Sequence, residues 1–328
     1  MRLEANAGDR YLDAMQQGGR DAAGERARRR AQARSRAVRN RRAGLAALIL
    51  IATPVVVLLA AGGSHSQHRA HGHAPAANGR APSAASATSG AGPRASAESA
   101  RVRALIALGM PIYCAARGGN EVALTFDDGP GPYTRLMLAK LHKHHVRATF
   151  FDVGRNIPLL PRAIGEEREA GGVGDHTFTH PLLTALAPAQ AQAEIVRTQT
   201  ALQRAGAGPV FLFRPPYGGR DEAIDHIARA NGMLEIMWTV DSADSLGADW
   251  AQIERNVIAG LRGGAIILMH ENHGQTIRAM LGIFAALQRK HLRTVSVARL
   301  LSDDPPSVSQ VRAGGGGCGV NSASLRGG

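Results

Sequence analysis

Surplus positive charge is almost missing from the part of this chain that looks able to fold. The 328 residues carry 39 Lys and Arg against 26 Asp and Glu, a formal charge of +13. Residues 1–42 hold 12 Arg against 5 acids, and residues 43–117 hold 6 Arg against 1 acid. That leaves residues 118–328 with 21 basic and 20 acidic side chains. A nucleic-acid-binding domain needs its excess on the folded surface that grips phosphates, so this near-neutral stretch argues against such a partner. Cysteine is scarce as well. Cys114 and Cys318 are the only two. They can form one disulfide, or remain separate thiols in the flanks of the domain. No internal repeat is visible. The tract that begins residues 63–117 lacks large apolar side chains, being built of Gly, Ser, Ala, Pro and His. Such a composition cannot bury enough surface to offset its chain entropy, and it reads as a disordered linker. His65, His68, His71 and His73 within it read as an accidental cluster rather than a metal site.

One segment lacks charge altogether. From Ala43 to Ala61 the chain is apolar, long enough to cross a bilayer, and follows an Arg-dense stretch ending in Arg39, Arg41 and Arg42. The positive-inside rule keeps that cluster cytoplasmic and exports everything beyond it. The expectation is a single-pass membrane anchor at residues 43–62, behind a basic cytoplasmic segment at 1–42. Secretion after signal cleavage is the alternative, because Ala60, Ala61 and Gly62 would suit a peptidase. Export also permits the disulfide.

From about Gly118 to Ser302 the pattern changes. Short apolar runs (EVALTF, ATFFDVG, FLFRPP, MLEIMWTV, AIILMH) alternate with helix-like segments such as AQAQAEIVRTQTALQRA and DEAIDHIARANG. Strands alternating with helices predict an α/β fold of parallel βαβ units. Residues 303–328, rich in Gly, Ser and Pro, read as a flexible tail. Four of the runs end on ionisable residues: Asp127 and Asp128, Arg214, Asp241, and His270. In α/β barrels the carboxyl ends of the strands carry the active site. His176 and His180 add a pair four residues apart, which a helical turn would bring to one face. With one carboxylate as a third ligand they make a two-His, one-Asp site with room for water, and the neighbouring carboxylate is free to act as a base. A turn at Gly129-Pro130 is expected to bring both aspartates to the site. Asp-Asp-Gly-Pro can equally be a plain turn, and an HxxxH pair alone is weak among 13 histidines.

Five motifs in order carry a resemblance: Thr125-Phe126-Asp127-Asp128-Gly129-Pro130, His176-xxx-His180, Arg214-Pro215-Pro216-Tyr217-Gly218, the Asp241 segment and Leu268-Met269-His270. Over residues 118–302 the chain resembles the polysaccharide deacetylase family with the NodB homology domain, also grouped as carbohydrate esterase family 4. The resemblance implies an irregular (β/α) barrel of the NodB type and a divalent metal, zinc or else cobalt or another transition metal. It also implies removal of acetyl groups from amino sugars, with peptidoglycan the expected polysaccharide partner. Chitin-oligosaccharide or acetyl xylan deacetylation, and a non-catalytic glycan-binding module on the same fold, are the alternatives. By residue, it implies Asp128, His176 and His180 as metal ligands and Asp127 as general base, paired with Arg214. The backbone N–H of Tyr217 would face the oxyanion, Leu268 would line the acetyl pocket, and His270 would be the general acid, with Asp241 against it. Two departures stand out. Asp175 replaces the Asn common before the first histidine, and Ser245 follows Asp244 where relatives commonly have Trp, a gap that Trp250 would have to fill. Trp238, inside an apolar run, reads as core.

Overall fold

The computed structural model describes residues 93–319. The expected cytoplasmic segment, the anchor at 43–62, most of the linker and the end of the tail lie outside these residues. Among the described residues no helix is long and apolar enough to cross a membrane.

The alternating runs form a parallel sheet. Strand β1 (Glu121–Gly129) is central, flanked by β2 (Ala148–Asp152) and β7 (Ile266–His270). Beyond β2 lie β3 (Val173–Asp175), β4 (Leu212–Phe213) and β5 (Leu234–Glu235), and β6 (Val240–Asp241) lies beyond β7. A short β8 (Arg293–Thr294) pairs with the start of β1. Every strand pairing is parallel, as crossovers through helices require. The sheet curls into an irregular, partly open (β/α) barrel. Beside β5, Ile112 exchanges backbone hydrogen bonds with Glu235 and Met237 at 2.9 and 2.8 Å.

Strand alternation decides which side chains face the barrel interior. On β1, Val122, Leu124 and Phe126 pack outward against helices α2 (Thr134–Lys143), α6 (Trp250–Gly260) and α7 (Gly274–Arg289). Ala123, Thr125 and Asp127 occupy the other face, and the small first two leave room inside. Helix α7 buries Ile277, Met280, Ile283, Phe284 and Leu287, the three-and-four spacing of an amphipathic helix. Helices α4 (Pro188–Arg204) and α5 (Glu222–Ala230) cover the far side, packing with Phe213. Asp221 caps α5 by accepting from Ile224 N at 3.0 Å.

The folded unit is wider than residues 118–302. Helix α1 (Pro93–Leu108) buries Val102, Leu105 and Ile106 against α8 (Val297–Asp303), so part of the expected linker is structural. Its four-residue apolar spacing is hidden in an Ala- and Arg-rich sequence. The expected tail likewise folds, through α9 (Val308–Arg312) and a short turn of helix at Gly314–Gly317. Cys114 and Cys318 form a buried disulfide with Cα atoms 5.9 Å apart, joining the two edges of the unit across 204 residues. Closing so long a loop removes roughly 5 kcal/mol of denatured-chain entropy, although measured gains are commonly nearer 2–4. Cys318→Ser should therefore lower the melting midpoint by roughly 5–15 °C. Reductant should do the same to the wild type and nothing to the variant; equal midpoints in oxidising buffer would show that the bond contributes no stability.

Candidate active site

A fully buried arginine organises the interior. Arg214, just beyond β4, donates from Nη1 to Asp127 Oδ1 at 2.7 Å and to Thr125 Oγ1 at 2.8 Å. Its Nε reaches the Ile236 carbonyl at 3.0 Å, and its guanidinium lies over the Phe151 ring at 4.2 Å. Burial pulls its pKa down, and the Asp127 charge opposes that. The Arg214 carbonyl accepts from His176 Nδ1 at 2.7 Å, so one residue orients both a carboxylate and an imidazole.

Asp127 and Asp128 are neighbours on β1 and should face opposite sides. Asp128 has φ of 72°, and the β1–β2 register shifts at this point, which swings its side chain back to the same end of the barrel. The expected turn thus begins one residue earlier than Gly129. His176-xxx-His180 is not helical either. It is a loop in which Thr177 and His180 adopt φ of 67° and 61° and the imidazole centroids lie 4.9 Å apart. Glu194 on α4 pins this loop, accepting from Thr179 N at 2.6 Å and Thr179 Oγ1 at 3.0 Å.

Asp128, His176 and His180 each place a donor atom within 4.8 Å of the others. His180 Nε2 is 3.1 Å and His176 Nε2 is 3.7 Å from Asp128 Oδ1. Ligands bound tetrahedrally to zinc lie about 3.4 Å apart, so the spacing fits. The chemistry fits as well. His176 Nδ1 is committed to a carbonyl, which turns Nε2 toward the cluster, and burial lowers the imidazole pKa, favouring the neutral form that ligates. Asn272 Nδ2 donates to Asp128 Oδ2 at 3.1 Å, leaving Oδ1 for the histidine side. His180 Nδ1 lies 3.1 Å from the Tyr217 hydroxyl. Tyr217 is the exposed corner of the turn Pro216–Gly218, with φ of 61°.

Across β1, Asp127 is in register with His270 on β7. Leu268, two residues earlier on the same strand face, is buried. The contact expected of Asp241 is made by Asp244. His270 donates from Nδ1 to Asp244 Oδ1 and from its backbone N to Oδ2, both at 2.7 Å. Thr276 Oγ1 donates to Oδ2 at 2.6 Å. Asp241 instead accepts from Ala243 N at 2.7 Å, bending the loop that presents Asp244. Ala243 has φ of 60° at that bend. Burial alone would lower the His270 pKa. The bond to Asp244, with the charges of Asp244, Asp127 and Asp128, outweighs it and raises the pKa to about 9. The sequence offered two aspartates three residues apart with nothing to choose between them. Asn272 and Glu194 carried no motif at all.

Residues 115–236 match the family model described as polysaccharide deacetylase. A family 4 carbohydrate esterase from Streptomyces lividans is 37% identical, with 54% of this chain covering 92% of it at a TM-score of 0.52. The chain belongs to the polysaccharide deacetylase family. A peptidoglycan-N-acetylglucosamine deacetylase of Bacillus cereus is 35% identical over 54% of this chain and 66% of its own length. A bifunctional xylanase/xylan deacetylase of Cellvibrio japonicus is 36% identical over 52% of this chain, but the match spans only 26% of that relative. The fold also matches a family 4 pseudoenzyme from Bacillus anthracis, 31% identical over 60% of this chain and 70% of that one, at a TM-score of 0.55.

Of the two departures from the deacetylase pattern, the one at Asp175 has a structural account. Asp175 turns onto its own loop, accepting from Thr177 N at 2.8 Å. Burial raises its pKa well above the usual carboxylate range, which favours the neutral form. Ser245 is exposed, and Trp250 lies beneath Arg278, whose guanidinium is 4.7 Å from the ring centroid. Trp238 is buried in the barrel core, against the Pro216–Gly218 turn.

Asp244→Asn should lower the His270 pKa clearly from about 9, because burial is then opposed only by the smaller contributions of the Asp127 and Asp128 charges. Asp241→Asn should move it much less. Titrating the imidazole resonances by NMR distinguishes the two carboxylates; equal shifts would return Asp241 to the role expected from the sequence.

Proposed function

We propose that the protein removes N-acetyl groups from an extracytoplasmic polysaccharide containing N-acetylglucosamine, peptidoglycan foremost. The observation that carries this reading is the pairing of Asp127 and His270 across adjacent strands, beside the Asp128–His176–His180 cluster. Those three residues would hold a divalent metal, zinc most suitably. Bound there, the ion would supply Lewis acidity toward the acetyl carbonyl and lower the pKa of water at the site.

The chain's own residues divide the proton work. Arg214 holds Asp127 Oδ1, leaving Oδ2 to take a proton from the attacking water. The Tyr217 N–H stands at a strained corner suited to meet the oxyanion. Asp244 holds His270 Nδ1, so Nε2 is left to protonate the departing amine, without which an amide nitrogen leaves poorly. Leu268 lines the space for the acetyl methyl. Asp241 supports the Asp244 loop. The apolar run at 43–62 would tether the enzyme at the cell membrane.

The likeness to a pseudoenzyme favours one other reading, a glycan-binding module without turnover. Acetate release from peptidoglycan and N-acetylglucosamine oligomers, by the full chain after chelation and zinc or cobalt add-back, separates the two. Metal-dependent release should fall at least about 100-fold in Asp127→Asn and in His270→Ala. Activity should also decline as pH rises through about 9, where His270 loses its proton. Binding without any release, with metal in place, would establish the module; release from O-acetylated xylan alone would replace the substrate.

A further inference from the structure

Three carboxylates outside the catalytic arrangement meet in the interior with no positive partner. Asp152 ends β2, Glu271 directly follows β7, and Glu167 lies on helix α3 (Ala163–Ala170). All three are fully buried, and one oxygen from each lies within 4.8 Å of the others. Among the described residues no Arg, Lys or His lies at ion-pair distance from any of them. Both oxygens of Asp152, both of Glu167 and Oε2 of Glu271 have no hydrogen-bond donor. Glu271 Oε1 accepts from the Thr134 hydroxyl at 2.6 Å.

Unpartnered buried carboxylates are among the costliest groups a fold can hold, so this arrangement requires protons or a cation. A second observation concerns space. A side chain at Gly129 would collide with Glu271 Oε1 and come within 2.6 Å of Asp152 Oδ1. The chain therefore keeps a glycine where it runs against the acids, because Glu271 and Asp152 fill the space that a side chain there would need. We propose that Asp152, Glu167 and Glu271 form a second, structural site for a hard divalent cation, calcium in preference to zinc.

The donor set decides the ion. It contains oxygen alone, with no imidazole or thiolate to favour a transition metal. Oxygens bound to one calcium at 2.3–2.6 Å lie no more than about 5 Å apart, which the 4.8 Å spread satisfies. Calcium also accepts bidentate carboxylates, which suits five unpartnered oxygens in a dry interior better than the hydrated octahedron of magnesium. Without an ion, burial pushes all three carboxyls upward, reinforced at Glu167 and Glu271 by the Asp152 charge and partly opposed at Asp152 by a hydrogen bond shared with Glu167, so the cluster would hold protons instead.

Position gives the site its consequence. The Asp152 carbonyl accepts from His176 N at 3.0 Å, Gly129 follows Asp128, and Glu271 follows His270. An ion here would tie the ends of β2 and β7 to helix α3, directly behind the catalytic arrangement.

The test uses the full chain, loaded with zinc and dialysed, then titrated with calcium by calorimetry and followed by thermal melting. One calcium per chain and a rise of several degrees in melting midpoint are expected. Glu167→Gln, which keeps the shape and removes one charge, should weaken uptake at least tenfold and erase the shift. Wild-type stoichiometry decides the matter even if the variant folds poorly. No calcium taken up, with the variant melting at or above wild type, would mean that the acids simply hold protons. Uptake that Glu167→Gln leaves unchanged would locate the ion elsewhere. Neither readout depends on acetate release, so the outcome is independent of the deacetylase reading.

Discussion

The Arg214–Asp127 pair is the constraint around which the barrel interior is built. Moving two charges out of water costs several kcal/mol per ion, and their attraction offsets that only if the remaining donors are also satisfied. Here they are. The guanidinium bonds to Asp127, to the Thr125 hydroxyl and to the carbonyls of Ile236 and Met237, and rests on the Phe151 ring. This explains why the inner face of β1 is so small, with Ala123 and Thr125 where larger side chains would fill the barrel. It also couples functions that lie far apart in sequence. Removing the Arg214 side chain would leave Asp127 buried without its partner, whereas the His176 contact is to the Arg214 backbone and depends on the strand end staying in place.

Around that pair the loops are held in conformations that ordinary residues avoid. Asp128, Thr177, His180, Tyr217 and Ala243 all have positive φ, a cost of roughly 1–3 kcal/mol each for non-glycine residues. Most of these corners have a dedicated brace. Asn156 donates to the Asp128 carbonyl at 3.2 Å, Asp175 accepts from Thr177 N, His180 N donates to Thr177 Oγ1 at 3.2 Å, and Asp241 accepts from Ala243 N. Thus several acids near the site act on the backbone rather than on substrate. Asp241 is the instructive case. It bends the loop, and the loop delivers Asp244.

This division explains what could be read from the sequence. Strand ends bearing Asp127, Arg214 and His270 were legible because an ionisable residue closing an apolar run is conspicuous, and barrel topology brings such ends together. The choice between Asp241 and Asp244 was not legible, since it depends on a left-handed residue between them that carries no glycine to announce it. The histidine loop misled in the same way, because four-residue spacing suits a helix and here two positive-φ residues do the work. Helix α1 was hidden by its Ala-rich composition, and the C-terminal turns by glycine. Both are stabilised by tertiary contacts and the disulfide rather than by local preference. Asp152, Glu167 and Glu271 gave no signal at all, being separate in sequence and ordinary in context.

The catalytic end of the barrel is acidic although residues 118–328 are nearly neutral as a whole. Asp127, Asp128, Asp152, Glu167, Asp175, Asp241, Asp244 and Glu271 all sit in or near the barrel's catalytic end, and Arg214 is the one fully buried guanidinium described among them. Each acid needs a separate solution, because like charges this close cannot all ionise in a low dielectric. Asp127 has Arg214. Asp244 has the imidazolium of His270 and the Thr276 hydroxyl, and these hold its pKa down against burial. Asp175 and Asp241 take backbone N–H groups, and burial shifts both toward the neutral acid. That leaves Asp128, between two histidines, and the unpartnered triad behind it. These are the two places among the described residues where metal-ligating atoms converge, an oxygen with two imidazole nitrogens at the first and carboxylate oxygens alone at the second. Acids that the chain does not match with its own cations thus gather at these two points, whereas every other acid at this end is matched to an arginine, an imidazolium or a backbone N–H.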